Sequence, residues 1–252
     1  MRSIKVAMCQ IFSLDGDRSG NFVRIGNAIG EAKNAGADIA CFPETALLGW
    51  VNPDAHKRAI PIPGEDSDRL CRLAEKNNLH LCIGLAEKQG GNLYDSVLLI
   101  DNKGNILLKH RKINLLMELM SPSYTPGESI DAVETTFGKI GLLICADTHD
   151  SKILKRMAAL KPDLLLVPYG YAAVEDEWPD HGKKLEKVVT NTARKTKAFT
   201  IGTNLVGEIT HGPWKGRIYG GQSVAVDRTG QVVSIAKDRD WDIDIVNINI
   251  GL

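Results

Sequence analysis

The chain is expected to fold as an α/β protein, a four-layer α-β-β-α sandwich with an internal pseudo-twofold repeat. Three observations lead there. An order of strand-like and helix-like segments, β-α-β-α-β-β-β, runs twice along the sequence. The two runs echo one another: "ADIACFPE" (37–44) parallels "PDLLLVPY" (162–169), and "DSVLLIDNKGNIL" (95–107) parallels "QSVAVDRTGQVVS" (222–234). Several strands are apolar on both faces, so their sheets need cover on both sides. Two sheets packed face to face, with helices outside, satisfy all three observations.

The first repeat opens with a strand, "IKVAMCQI" (4–11). Phe22, Ile25, Ile29 and Ala32 then recur at helical spacing, and Gly36 ends that helix. "ADIACF" (37–42) is a second strand, and a helix over 65–77 carries Leu70, Leu73 and Ala74 on one face. "LHLCIGLA" (79–86), "LYDSVLLI" (93–100) and "NILLKH" (105–110) follow, the last two joined by the hairpin signal "DNKG". The second repeat starts at "KIGLLICA" (139–146), with a helix at 151–161 and the strand "DLLLVP" (163–168). A long helix at 180–197 precedes "FTIGTNLVG" (199–207), "QSVAVD" (222–227) and "QVVSIA" (231–236). The alternative is two independent α/β domains. No linker rich in Pro, Gly and Ser marks the seam, although 120–129 is loop-like, so residues 1–252 are read as a single domain.

Composition bounds the function. The 252 residues are 43% hydrophobic with no net charge, enough for a large core and against a general nucleic-acid or anionic-membrane binder. The densest basic run, "KHRK" (109–112), reads as solvated surface. Five cysteines, an odd number without metal-type spacing, point to free thiols in a reducing compartment. The N-terminus enters a strand directly and no run approaches the ~20 apolar residues of a membrane span, so a cytoplasmic location is expected.

Reactive groups stand at three strand ends, where α/β sites gather. "CFPET" (41–45) places Glu44 just past a strand, "LLKHRKINL" (107–115) does so for Lys112, and "LLICAD" (142–147) for Cys145. Singly, each has a plainer reading: a packed thiol, a turn carboxylate, a surface ammonium. Together they describe nucleophilic catalysis with a carboxylate as proton acceptor. Cys145 would attack an amide carbon, Glu44 would take the thiol proton, and Lys112 with the Ala146 backbone N–H would hold the oxyanion.

The trio "FPET", "HRKINL" and "GLLICAD" resembles the nitrilase-type carbon–nitrogen hydrolases. Further similar segments, "KVAMCQ", "GLAEKQGGNLYDSVLLIDNKGNIL", "YTPGES" and "GGQSVAVDRTGQVV", spread the resemblance over nearly the whole chain. It implies the same sandwich and a Glu-Lys-Cys triad of Glu44, Lys112 and Cys145. It also implies a second glutamate, Glu118, that orients the lysine or binds substrate, and a homodimer or higher homo-oligomer. Ala146-Asp147 after the cysteine is similar to the amide-hydrolysing branches, where true nitrilases carry Trp-Glu. "THDSKI" (148–153) departs from the aromatic and "PE" common there, which leaves the substrate open. Asp147 is read as structural, capping the next helix or holding the cysteine loop.

Other groups carry competing readings. His149 offers a papain-like dyad with Cys145, but one tight loop seldom supplies that geometry. His149, Asp147 and Asp150 do not match an established zinc spacing, and no phosphate-binding glycine loop is present, so no metal or cofactor is expected. Tyr169 and Tyr171, with Trp50, Tyr124 and Trp178, are candidates to line a small-molecule pocket. The expected activity is cysteine-dependent hydrolysis of a non-peptide C–N bond in a small amide or N-carbamoyl compound. Nitrile hydrolysis and a catalytically silent binding scaffold are the alternatives.

Overall fold

The computed structural model describes residues 2–116, 119, 121–178 and 180–250. The first half comprises β1 (Arg2–Gln10), α1 (Arg18–Asn34), β2 (Ile39–Cys41), α2 (Ala55–Arg58), α3 (Glu65–Asn77), β3 (His80–Gln89), β4 (Asn92–Ile100) and β5 (Ile106–Arg111). The second comprises β6 (Ala132–Thr135), β7 (Gly138–Leu142), α4 (Ser151–Ala159), β8 (Leu164–Pro168), β9 (Ala172–Ala173), α5 (Asp180–Thr196), β10 (Phe199–Thr203), β11 (Val206–Glu208), β12 (Ile218–Gly220), β13 (Val224–Val226), β14 (Val232–Ile235) and β15 (Asp242–Ile250). No helix among the described residues is long and apolar enough to cross a membrane.

Two six-stranded sheets carry the repeat, ordered β15-β1-β2-β3-β4-β5 and β6-β7-β8-β10-β13-β14. Read in these directions, both sheets pair antiparallel, parallel, parallel, antiparallel, antiparallel. A three-stranded sheet, β11-β12-β9, is added to them.

Alternation along the strands sets the layers, because successive side chains point to opposite faces. Val6 and Met8 of β1, Ile39 and Cys41 of β2, and Val97 and Leu99 of β4 share one core with Ile140, Leu142, Leu164 and Leu166 of the second sheet. That same core runs on to Ile153 and Met157 of α4 and Leu185 and Val189 of α5. Ala7, Ala40, Leu98 and Ile100 face the other way, into a core with Ile25 and Ile29 of α1 and Leu70 of α3. Helices α1 and α3 thus cover one face of the first sheet, and its other face packs with the second sheet.

Three features depart from the sequence reading. β7 stops at Leu142, and Cys145–His149 form a tight 3-10 turn. The segment 199–207 is two strands, because the Asn204 side chain breaks the ladder. Its amide accepts from the Tyr171 N–H and donates to the carbonyls of Tyr171 and Gly221. Each main sheet also gains an unexpected edge, β6 and β15, so the repeat is longer than the sequence echo.

The shared core should be sensitive to lost volume. Leu166→Ala, at a fully buried position, is expected to cost about 2–5 kcal/mol, read as a lower denaturant midpoint with an unchanged slope.

Candidate active site

The site is built where β2, β5, β7 and β8 end. Past β2, the FPET segment lies across β3: the Gly84 N–H donates to the Pro43 carbonyl at 3.1 Å and the Ala46 N–H to the Gly84 carbonyl at 3.0 Å. A Cβ on Gly84 would stand 2.7 Å from Glu44 Cα, the Pro43 oxygen and Thr45 N, so only glycine permits this approach. Thr45 itself is β-branched with φ +44°, a costly conformation held by its surroundings. Glu44 is fully buried. One of its oxygens accepts from the Lys112 ammonium, and the other from the Gly170 N–H at 2.7 Å.

Lys112 follows β5, and strand alternation explains the whole of "KHRK". Lys109 and Arg111 point to one side and close on the buried Glu87 carboxylate, both at about 2.7 Å. His110 and Lys112 point to the other side and are buried. The expectation of a solvated basic patch is therefore corrected: half of it enters the site and half neutralises one carboxylate. The Lys112 ammonium also lies 3.4 Å from Asp95 Oδ2 and 5.8 Å from the centre of the Trp50 ring.

Cys145 opens the turn after β7 with φ +38° and is 5% exposed. Asp147 fixes that turn to the Lys112 loop. Its Oδ1 accepts the N–H groups of Ile113 and Asn114 at 2.9 and 2.8 Å. Its Oδ2 accepts the Ile144 N–H at 3.0 Å and lies 2.8 Å from His110 Nε2. Asp147 thus holds the cysteine loop, while Asp150 caps α4 through the Lys152 N–H. Two loops far apart in sequence meet on one buried carboxylate.

Electrostatics link the group. Burial pushes the Cys145 thiol up, and the Glu44 carboxylate adds to it against the opposing Lys112 ammonium and Gly170 N–H. Burial alone would lower Lys112, but Glu44 and Asp95 hold it well above the ordinary lysine range. Burial, then the neighbouring Glu44 charge, raises Asp95 well above the usual carboxylate range. The arrangement can therefore offer a protonated thiol, a fixed cation and an acceptor for the thiol's proton.

A cavity of about 320 Å³ opens on Cys145 and Ala146, with Trp50, Tyr171, His181 and Trp214 among its walls. His149 also lines it. Burial first, then Lys112, lowers its pKa. Tyr169 differs from expectation: it is fully buried, its hydroxyl lies 3.1 Å from Thr148 Oγ1, and it is not a wall residue. It supports the Cys145 turn from behind. Trp178 is likewise buried, bonded to Asp238. Tyr124 lines a second, water-sized space of about 20 Å³ beside Lys112 and Asp95. Glu118 lies outside the described residues. Among the described residues, no three His, Cys, Asp or Glu side chains are arranged to hold a metal ion.

Asp95, Gly170, His181 and Trp214 are the additions sequence reading missed. Asp95 had a visible signal, a carboxylate inside the apolar strand "LYDSVLLI". Its environment predicts a neutral acid. Asp95→Asn should hold stability within about 1 kcal/mol, whereas Asp95→Ala should lose about 1–3 kcal/mol, both measured by chemical denaturation. Equal losses would mean that the carboxylate is charged.

Known proteins share this chain's pattern. A sequence model described as "Carbon-nitrogen hydrolase" matches residues 5–252. An (R)-stereoselective amidase from a Pseudomonas species is 28% identical over 91% of this chain and 80% of its own length. The mouse omega-amidase NIT2 is 26% identical over 97% of this chain and 90% of its own. An amidase from Nesterenkonia, captured with the acetamide moiety of fluoroacetamide on its active-site cysteine, superimposes with a TM-score of 0.82. It is 21% identical, covering 97% of this chain and 90% of that one, and shows the shared fold. The chain belongs to the carbon-nitrogen hydrolase family, and is a hydrolase of C–N bonds.

Proposed function

We propose that the whole chain is one catalytic domain that hydrolyses small amides or N-carbamoyl compounds through a thioester on Cys145. One observation carries the reading. The buried Glu44 carboxylate is pinned by Lys112 and the Gly170 N–H, while Glu44 and Lys112 both act on the Cys145 thiol.

The chemistry follows from that geometry. Cys145 Sγ forms a bond to the amide carbon as its proton passes to Glu44. The carbonyl electron pair moves onto oxygen, where the Lys112 ammonium and the Ala146 N–H receive the charge. One such donor contributes roughly 3–4 kcal/mol to the barrier in a closed site. The intermediate collapses, the C–N bond breaks, and Glu44 returns its proton to the leaving amine. Water then attacks the thioester, giving a proton to Glu44. The second tetrahedral intermediate expels the sulfur, which recovers that proton, and the acid departs. An N-carbamoyl substrate yields a carbamic acid, which breaks down to CO₂ and ammonia or amine.

Lys112 is spent twice here, as a partner that orients Glu44 and as an oxyanion cation. The raised thiol pKa fits a mechanism in which deprotonation accompanies attack. The Ala-Asp pair after the cysteine favours an amide over a nitrile, and relatives of both kinds are known.

Intact-mass measurement after mixing with a small amide should show an acyl adduct on Cys145 in the wild type. Cys145→Ala should show none. Glu44→Gln should lower turnover by at least about 100-fold while the circular dichroism stays native. Wild-type inactivity across amides, nitriles and carbamoyl compounds would overturn the reading. So would full activity in Glu44→Gln.

A further inference from the structure

The walls of the 320 Å³ cavity carry information about the acyl group. Trp50, Trp214, Tyr171 and Leu116 are among its apolar walls, and Asn114, His149 and His181 among its polar ones. Among the described residues, no wall residue is Lys or Arg. The residues of the chain outside the described set include no Lys or Arg, so they bring no cation.

We propose, resting on the amide-hydrolase reading above, that the cavity selects amides with a flat or branched apolar acyl group and refuses amides bearing a free carboxylate. The specificity residues are Trp50, Tyr171 and Trp214.

Three features support the flat, neutral occupant. The aromatic walls are fixed in place. Trp50 and Trp214 meet edge to face at 5.1 Å between ring centres, and Tyr171 stacks on His181 at 4.4 Å. Tyr171 is further anchored by its N–H on Asn204. Such walls favour an aromatic ring by edge and offset contact, and the volume lies at the small end of the range for organic ligands.

A negative charge is unfavourable there. A carboxylate taken out of water needs a cation in direct contact. Lys112 is already held between Glu44 and Asp95. Burial lowers both wall histidines, with Lys112 adding to the effect on His149, and with Lys184 and Arg217 adding to it on His181 against Glu177, so both rings are biased toward the neutral form. Lys184 and Arg217 are not wall residues, and the Arg217 guanidinium lies 4.1 Å over the Trp214 ring.

The test is a matched panel followed by ammonia release: benzamide and isobutyramide against glutaramate. The neutral pair should exceed glutaramate by at least about 100-fold in kcat/KM, and Trp214→Ala should raise KM for benzamide. Comparable or faster turnover of glutaramate would overturn the proposal and leave the amide-hydrolase reading intact. If no amide is turned over, the mechanism fails, and the cavity is then judged by binding to Cys145→Ala. Quenching of tryptophan fluorescence by benzamide and not by glutaramate would support the selection. The absence of benzamide binding, or tighter glutaramate binding, would overturn it.

Discussion

One buried ammonium organises this site. Lys112 stands between two carboxylates, Glu44 and Asp95, with all three side chains almost entirely out of solvent. Burial works against each charge, so the cluster persists only through mutual compensation and backbone donors such as the Gly170 N–H. Removing Lys112 or Glu44 would leave an uncompensated charge in a closed space. That constraint explains the supporting architecture. The FPET segment lies directly on Gly84, where a side chain would collide, and Gly170 lacks a Cβ that would stand 3.0 Å from the Glu44 carboxylate.

The internal repeat explains how the parts arrive together. β2 and β8 occupy equivalent places in the two sheets, and the segments after them carry Glu44 and Gly170. The bond from the Gly170 N–H to Glu44 therefore joins the two repeats at the site. Asp147 makes a second joint, tying the turn after β7 in one sheet to the loop after β5 in the other. The reactive groups are each set by a strand end, and the carboxylates lock those ends to one another.

Much of this was legible in the sequence because strand alternation and chain-order motifs are local. Glu44, Lys112 and Cys145 could each be assigned to the end of a predicted strand. The rest depends on contacts between repeats. Lys109 and Arg111 look no different from Lys112 until Glu87 is found beneath one face of β5. Tyr169 and Tyr171 sit two residues apart, yet one backs the Cys145 turn and the other lines the cavity. β15 has a clear two-residue alternation, "DIDIVNINI", but its pairing across the chain with β1 is invisible to a repeat-based reading. The break at Asn204 follows from a side chain that bonds the backbone of two other segments.

The raised thiol has a consequence for how such a site stays selective. A cysteine beside a histidine rests largely as thiolate and is open to oxidants and stray electrophiles. Here burial and the Glu44 charge keep the proton on Cys145 in the resting state. In the proposed mechanism it leaves only as the sulfur closes on a carbonyl carbon, when Lys112 gains a developing oxyanion to stabilise. Reactivity is then conditional on a substrate that fills the cavity and presents that oxygen. A neutral, apolar acyl group would also displace water from the walls and strengthen the same ammonium–oxyanion interaction. The cavity lining and the protonated thiol thus act in one direction, confining the chemistry to molecules that close the site.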